Sequence, residues 1–487
     1  MTRPVLLSEN SRSILMTSAG VAPPSKLPQF IAAFVSTISA VCLGMVFSWT
    51  SSAIPALQKE MEMTSSQGAW VGSLVTVGAF AGAIPAGPLC HLLGRKTTLQ
   101  VLIAPLFISW IIIAFFYRSL YLLYFARFLA GISSGGVSVA VPMYVSELAH
   151  ISIRGTLGTF FQVQITIGIL IEYLLGDIVP GIRTLSLVSS VLPIVFLLAF
   201  AFVPESPVYL CQKAKFEEAH KSLTWFRGQD YNIEDELVNI TEELKEGAKN
   251  KTSLSDLVSC KATSKGLIIA FGLMAFQQLS GVNAVLFYSN DIFQQGGMFE
   301  PGTCSVLMGI AQVIATLCSA ALIDRAGRRI LLILSDSIMC LSLAVLGTYF
   351  YLSDHMDLTS YSFIPLFSVI SYIIFFSVGF GPIPWMIMSE IFHPKVKGTA
   401  SSISASLNWL LAFLVTNQFS NLTNYLGIGL GFIVFSIICG FGTLFVVLLV
   451  PETKGKTIEE VMDVLRGEHQ GGLSESYEKS DKTTTTV

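Results

Sequence analysis

Charged side chains are scarce in this chain of 487 residues. Only 13% of the residues are Asp, Glu, Lys or Arg, about half the share of an average soluble domain, whereas 52% are hydrophobic and the mean hydropathy is +0.67. This composition excludes a soluble globular protein. The net charge of -3 is too small to predict a nucleic-acid partner. We therefore predict an integral membrane protein whose surroundings are the lipid bilayer.

The sequence also lacks the signatures of secreted proteins and of enzymes. Its first 28 residues are polar and irregular, which predicts no cleavable signal peptide. Of the eight cysteines, only Cys304 is predicted near an outside loop, so no disulfide framework is expected. The sequence shows no nucleophile–base pair, metal-ligand cluster or phosphate-binding loop, so we predict neither an enzyme nor a bound cofactor or metal.

Long apolar runs are abundant. Each is roughly 20 residues or longer, enough to cross a hydrocarbon core of about 30 Å. The runs are continuous rather than alternating, so they predict helices. The twelve predicted spans are residues 29–55, 67–89, 98–117, 119–142, 156–176, 184–203, 264–290, 303–323, 330–351, 361–388, 399–420 and 425–450.

The basic residues predict the orientation of these spans. With both termini in the cytoplasm, roughly 25 of the 29 Lys and Arg residues fall in the termini or in inside loops, as the positive-inside rule requires. The expected fold is all-α, with twelve transmembrane helices in two pseudo-symmetric six-helix bundles. The predicted domains are a cytoplasmic tail (1–28), a first bundle (29–203), a cytoplasmic linker with short helices at Phe216–Arg227 and Ile233–Lys249 (204–263), a second bundle (264–450) and a mostly disordered cytoplasmic tail (451–487).

Two pairs of charged segments indicate that the chain contains two related halves. Residues 87–96 read G-P-L-C-H-L-L-G-R-K, and residues 320–329 read A-A-L-I-D-R-A-G-R-R. Glu147 with Arg154 is echoed by Glu390 with Lys397. Membrane proteins built from two such halves are typically solute transporters, whose halves rock about a central site.

Five motifs resemble those of the sugar porters of the major facilitator superfamily. They are P-E-S-P at 204–207, Q-Q-L-S-G-V-N at 277–283, D-R-A-G-R-R at 324–329, G-P-I-P-W at 381–385 and P-E-T-K-G at 451–455. The resemblance runs from about residue 29 to residue 460. Within the family, W-T-S-S-A-I-P-A-L at 49–57 and L-N-W-L-L-A-F at 407–413 look most like the insect trehalose transporters and the class III facilitative hexose transporters. The major facilitator fold and sugar transport are what this resemblance implies.

A sugar site needs side chains that both donate and accept hydrogen bonds, because every hydroxyl of the buried sugar does both. Aromatic rings can pack on the apolar face of the sugar ring. The alternative is that amides within the spans only join helices. We expect Gln277, Gln278 and Asn283 to share one helix. The full set that matches the family's sugar contacts is Gln162, Gln277, Gln278, Asn283, Gln312, Trp385, Asn408 and Trp409.

Two departures from the family pattern leave the substrate open. The family usually has Asn at the position of Gln312, and some hexose carriers have a further Asn where this chain has Ala412. Both changes alter the reach of the site. Trehalose and glucose or another hexose remain the candidate substrates.

Ionisable residues within the spans bear on the coupling of transport. Proton-linked sugar porters place an Asp in helix 1 opposite an Arg in helix 4; this chain keeps the arginine as Arg127, and the predicted helix 1 contains no carboxylate. Proton coupling requires a group that changes protonation. Passive uniport is therefore the expectation. Glu172 offers the alternative of a proton-coupled symporter, although we expect it to be a hydrated vestibule carboxylate.

Charged residues at the cytoplasmic helix ends are predicted to form a gate where the two halves meet. The resemblance implies ion pairs that latch the inside when the site opens outward, and the alternative is that these charges only enforce topology. His91 and Leu92 replace the usual Asp and Arg, which predicts a weaker first-half latch and, as a hypothesis, pH sensitivity. The gate set is Arg95, Glu147, Arg154, Glu205, Asp324, Arg325, Arg328, Glu390, Lys397 and Glu452.

Helix 10 has Gly379, Gly381, Pro382 and Pro384 within six residues, which predicts a kink that is either static or a moving outer gate. Together these patterns predict a facilitative sugar transporter, with a membrane sugar sensor as an alternative from another class. We expect plasma-membrane residence, with endosomal or lysosomal membranes as the alternative. Asn421 starts an N-L-T sequon in a predicted short outside loop. The oligomeric state is not predicted.

Overall fold

The computed structural model describes residues 23–249, 261–296, 300–392, 394–456 and 458–466. Every regular element in these residues is helical, as predicted. The predicted disordered end of the chain, from residue 467 onward, lies outside the described residues, as do residues 1–22 of the first tail. Charged side chains of the helix ends cluster at one end of the molecule, which we call the charged end; the opposite end is the far end.

The first bundle contains five long helices and one interrupted helix. A capping box starts the second: Thr64 Oγ1 accepts a hydrogen bond from the Gln67 amide, and Gln67 Oε1 accepts one from the Thr64 amide at 2.9 Å. The helices are α1 (Leu27–Met61), α2 (Ser65–Leu93), α3 (Arg95–Phe116), α4 (Leu120–Leu148), α5 (Arg154–Ile178), and α6 (Ile182–Ser189) with α7 (Val191–Phe200).

Three short helices follow, and two of them confirm the predicted bounds. They are α8 (Pro207–Gln212), α9 (Phe216–Arg227) and α10 (Ile233–Lys249). The second bundle comprises α11 (Lys261–Leu279), α12 (Val282–Phe287), α13 (Ser289–Gly296), α14 (Pro301–Ala326), α15 (Arg328–Ser353), α16 (Ile364–Val378), α17 (Ile383–Ile391), α18 (Pro394–Leu426) and α19 (Ile428–Leu449), and α20 (Ile458–Arg466) follows it.

Eleven helical stretches in the described residues are long and apolar enough to cross a membrane. The predicted span 399–420 is the exception. It lies within α18, which is helical over 33 residues but contains Asn408, Asn417 and Gln418 and does not belong to the eleven. Asn421 also lies on α18, where its exposed side chain donates to Gln418 Oε1 at 3.0 Å. The prediction that Asn421 lies in a loop is therefore wrong, because the helix continues to Leu426.

Glycines allow the helices of the first bundle to pack closely. A Cβ atom added at Gly131 would overlap the backbone at Val75, and one at Gly135 would overlap the backbone at Ala79. Small residues therefore let α2 and α4 approach each other closely. In lipid, such close packing drives helix association in place of the hydrophobic effect that acts in soluble proteins.

The two bundles contact each other through α2 with α18, α5 with α14, and α1 with α12 and α13. Hydrogen bonds between bundles, over the described residues, lie toward the far end. Ser51 Oγ is 2.6 Å from Ser289 Oγ, Tyr173 donates to the Leu286 carbonyl at 2.8 Å, and Asn417 donates to Ser73 at 3.0 Å. The molecule is thus joined at the far end.

Candidate functional site

Four of the predicted amides form one continuous chain of hydrogen bonds, which we call the amide chain. Asn283 donates to Gln278 Oε1 at 2.6 Å, Gln278 donates to Asn408 Oδ1 at 2.9 Å, and Asn408 donates to Gln277 Oε1 at 2.8 Å. Gln277, Gln278 and Asn408 are buried. The chain links α11, α12 and α18, so a molecule that bonds to one amide competes with the links between helices.

The amide chain ends on backbone carbonyls exposed by a break in helix 10. Gln277 Nε2 donates to the Phe380 carbonyl at 2.7 Å and to the Gly381 carbonyl at 2.9 Å. The Phe380 carbonyl is available because α16 ends at Val378 and the residue four positions after Phe380, Pro384, has no backbone N–H to donate to it. The glycine–proline cluster is therefore a hydrogen-bonding surface for Gln277, a role that the sequence analysis missed.

The expectation that Gln277, Gln278 and Asn283 share one helix is wrong. The helix ends at Leu279, and Asn283 lies on α12. Gly281 has φ +88°, a left-handed conformation that favours glycine, and a Cβ there would also press on the Phe435 ring. The turn at 280–281 brings Asn283 back onto Gln278, which an unbroken helix would not do.

The other four predicted sugar contacts do not hydrogen-bond to the amide chain in the described structure. Gln312 is buried, and its Oε1 has no hydrogen-bond partner. Trp409 is also buried with an unpartnered Nε1, and its ring lies 6.0 Å from that of Phe47. Gln162 and Trp385 are half-buried. The site thus has a buried acceptor at Gln312 and a buried donor at Trp409 whose bonding capacity is unused.

Arg127 is fully buried and bonded to backbone and ring rather than to a carboxylate. Its guanidinium donates to the Val46 and Val71 carbonyls at 3.1 Å and lies 5.0 Å from the centre of the Trp49 ring. Glu172 is 1% exposed, and Ser189 Oγ lies 2.9 Å from its Oε2. The expectation of a hydrated vestibule carboxylate at Glu172 is wrong, because α5 turns this side chain into the bundle interior.

Three predicted gate residues, Arg95, Glu147 and Glu205, form one cluster at the charged end. Arg95 Nη2 lies 2.9 Å from Glu147 Oε1, and Ser206 Oγ hydrogen-bonds to the other oxygen of Glu147. Glu205 accepts hydrogen bonds from the backbone N–H groups of Arg95 at 3.1 Å and Lys96 at 3.0 Å. The carboxylate of Glu205 thus caps the start of α3.

The second bundle repeats this arrangement residue for residue. Arg328 Nη2 lies 3.3 Å from Glu390 Oε1, and Thr453 donates to Glu390 Oε2 at 2.5 Å. Glu452 accepts from the backbone N–H groups of Arg328 at 3.0 Å and Arg329 at 3.1 Å. The sequence repeat therefore corresponds to a repeated hydrogen-bonded cluster.

Both of these ion pairs join residues of the same bundle. Arg154 and Arg325 are exposed, and the side chains of Asp324 and Lys397 lie outside what the structure describes. His91 is exposed, with Nδ1 3.5 Å from Gln212 Oε1. The predicted latch between halves is absent from the described part of this arrangement, in which the bundles are joined at the far end, and the gate role of these residues stays a prediction.

Comparisons with known proteins agree with this geometry. A family model described as sugar (and other) transporter matches residues 27–465. The facilitated trehalose transporter Tret1 of Bombyx mori is 36% identical over 435 residues, covering 89% of this chain and 86% of that relative. The facilitated trehalose transporter Tret1-2 homolog of Drosophila simulans is 36% identical over 448 residues, covering 90% of this chain and 91% of that relative. The chain belongs to the sugar porter family.

The fold of this sugar porter also matches a solved structure. The inward open conformation of the xylose transporter XylE from E. coli aligns with a TM-score of 0.77 and 24% identity, covering 90% of this chain and 99% of that one. The resemblance stated from the motifs is thereby confirmed. The protein is a multi-pass sugar transporter and not an enzyme.

Burial sets apart the two capping carboxylates of this sugar porter. Burial raises the pKa of Glu205 above its ordinary value, and the backbone N–H groups of Lys96, Ser206 and Arg95 only partly oppose that effect. Burial also acts on Glu452, but less strongly, so that backbone N–H donors including those of Lys454 and Arg328 lower its pKa. The sequence could not reveal this difference, because both residues occur in similar P-E motifs.

Proposed function

We propose that this sugar porter is a facilitative uniporter for trehalose or a hexose, working by alternating access of its two bundles. In this proposal the chain has twelve spans, with α18 as the span beyond the eleven apolar ones, and both termini are cytoplasmic. The charged end then faces the cytoplasm, and the protein resides in the plasma membrane. The relatives at 36% identity carry the name facilitated trehalose transporter, which supports both substrate and mode.

The observation that carries the proposal is the amide chain. Each of its amides can donate and accept, so a sugar hydroxyl can replace one link without leaving a buried polar group unpaired. The unused Gln312 Oε1 and Trp409 Nε1 supply a further acceptor and donor. Because Gln277 bonds to the carbonyls of Phe380 and Gly381, sugar binding on α11 would be transmitted to the break in helix 10.

The environment of Arg127 supports uniport. Carbonyls and the Trp49 ring satisfy this guanidinium, so no helix 1 carboxylate is needed to balance its hydrogen bonds. In this proposal the predicted gate residues hold the charged ends of the two bundles together when the bundles rock. These residues are Arg95, Glu147, Arg154, Glu205, Asp324, Arg325, Arg328, Glu390, Lys397 and Glu452. Rocking would bring the charged ends together and separate the contacts at the far end.

One observation favours proton-coupled symport as the second candidate. Glu172 is buried and interacts electrostatically with Arg127, and a buried carboxylate near a buried cation is a typical proton-relay arrangement. Binding of a proton to Glu172 would weaken its interaction with Arg127. Symport would need this change to be linked to sugar movement.

Uptake of labelled trehalose and labelled glucose into cells expressing the chain, with and without a proton uncoupler, separates these candidates. Uniport predicts saturable entry that equilibrates and is unaffected by the uncoupler. Accumulation that the uncoupler abolishes, and that is lost in Glu172→Gln, would establish symport. Surface-expressed protein that binds trehalose without moving it would be a sensor, and the transport proposal would be wrong.

A further inference from the structure

A groove of about 320 Å³ lies at the charged end of the second bundle, apart from the amide chain. It runs between the start of α11, the start of α15, the end of α19 and the C-terminal helix α20. Its lining includes Lys265, Ile268, Arg329, Leu448, Val464 and Leu465. Neither sugar binding nor the ion pairs of the gate use this groove.

The walls of the groove are apolar and accessible. Ile268 is 57% exposed, Leu448 is 70% exposed and Val464 is 46% exposed. Isolated exposed aliphatic residues are ordinary, but here three of them line one groove at the end of membrane-spanning helices. An acyl chain would cover these side chains and remove them from water.

The rim of the groove has two cations with hydrogen-bonding capacity to spare. Arg329 Nη2 donates to the Val447 carbonyl at 2.6 Å, which fixes the guanidinium, whereas its buried Nε–H has no partner. Lys265 is exposed, and within the described residues no acid lies at ion-pairing distance from its ammonium. The charge of a phosphate group in the groove would be balanced by both residues.

We propose that this groove binds a phospholipid with an anionic headgroup. The phosphate lies against Lys265 and Arg329, and an acyl chain follows the wall formed by Ile268, Leu448 and Val464. Basic pockets at helix ends are suited to such headgroups, particularly where anionic lipids are enriched on the cytoplasmic leaflet.

The corresponding position in the first bundle provides a matched control. Lys96 occupies the place of Arg329 in the repeat and donates to the Ala201 carbonyl at 2.7 Å, as Arg329 donates to Val447. A lysine side chain has only one nitrogen, so Lys96 has no counterpart of the Arg329 Nε–H group. Loss of charge at Lys96 therefore removes a cation from the same end of the molecule without touching the groove.

Native mass spectrometry of the purified full-length chain tests the proposal, with phosphatidylserine, phosphatidylcholine and inorganic phosphate as separate probes. We expect tighter binding of phosphatidylserine than of phosphatidylcholine. Lys265→Gln should weaken phosphatidylserine binding about fivefold, the effect of removing one basic residue near an anionic surface. Val464→Trp should fill the groove and abolish the preference with all charges kept, and Lys96→Gln should leave binding unchanged.

Three results would overturn the proposal: equal binding of both lipids, phosphatidylserine binding that survives Val464→Trp, and inorganic phosphate that binds as well as the lipid with the same dependence on Lys265. The last result would indicate a free-phosphate site. Ile268→Trp fills the groove from the opposite wall and replaces Val464→Trp if that variant fails to fold. Each variant's melting temperature in phosphatidylcholine reports folding. Sugar uptake is a separate readout, so failure here leaves the transport proposal standing.

Discussion

The charged clusters of the two bundles share one hydrogen-bond pattern and differ in burial. In the first bundle the paired side chains are 3% and 14% exposed with a separation of 2.9 Å; in the second they are 12% and 26% exposed with a separation of 3.3 Å. The capping carboxylates differ accordingly, with the pKa raised at Glu205 and lowered at Glu452. A repeated motif thus fixes the partners of each residue, while the surrounding packing fixes the electrostatic strength of each contact.

Removing the arginine of each cluster is expected to give the largest difference. Arg95→Leu leaves Glu147 without its cation in the more buried site, where breaking a pair costs about 3 kcal/mol of unfolding free energy. Arg328→Leu should cost about 1 kcal/mol, because water reaches the second site more easily. Denaturant unfolding of both variants in the same detergent checks the order. Equal losses would contradict the idea that burial separates the clusters.

The glycines that precede α3 and α15 test whether the repeated geometry itself is required. Gly94 has φ +98° and Gly327 has φ +90°, and a Cβ at either would overlap the carboxylate of Glu205 or Glu452. Alanine at either position should therefore cost about 2 kcal/mol of unfolding free energy.

Gly155→Ala is the control for these variants, because a Cβ there would meet no atom within 4 Å. We expect its melting temperature to match that of the unsubstituted chain. The loss at Gly327 should resemble that at Gly94. A loss confined to one of the two positions would show that only one cluster depends on the cap.

The pH dependence of stability is expected to give the smallest difference. A raised folded-state pKa at Glu205 means that the folded protein binds this proton more readily than the unfolded chain, so stability falls as pH rises through the window above the ordinary value of 4.5. A lowered pKa at Glu452 contributes stability above 4.5 that is lost as pH falls through its folded-state pKa. The two residues therefore act in different pH ranges.

Melting temperatures of Glu205→Gln and Glu452→Gln as a function of pH measure this contrast. Glu205→Gln should flatten the decline above pH 4.5, whereas Glu452→Gln should lower stability at neutral pH and flatten the decline below 4.5. Identical profiles for the two variants would show that burial does not distinguish these carboxylates.

The sequence was sufficient to predict the helices and the repeat, because apolar length and charged helix ends are local signals. The linker helices Phe216–Arg227 and Ile233–Lys249 have the predicted bounds for the same reason. The sequence could not predict which amides form hydrogen bonds with each other. The hydrogen bond between Asn408 and Gln277 joins residues on different helices. The hydrogen bond from Gln277 to the Phe380 carbonyl requires the break in helix 10, and the direction in which that carbonyl points depends on the packed structure.

Burial of charge was the other property that the sequence could not give. Position along α5 suggested a hydrated Glu172, but the rotation of the helix decides which way the side chain points. The same applies to Glu205 and Glu452, whose motifs are nearly identical and whose surroundings are not. Sequence patterns thus identified candidate residues, whereas tertiary packing set their partners and their hydration.

The rate of labelled trehalose uptake by Asn408→Leu in proteoliposomes tests the central role of the amide chain most directly. Asn421→Leu, which removes an exposed amide from the same helix, is the matched control. We expect a loss of about tenfold or more for Asn408→Leu, since its removal leaves buried amides unpaired on both sides, and an unchanged rate for Asn421→Leu. Uptake by Asn408→Leu at the rate of the unsubstituted chain would contradict that role.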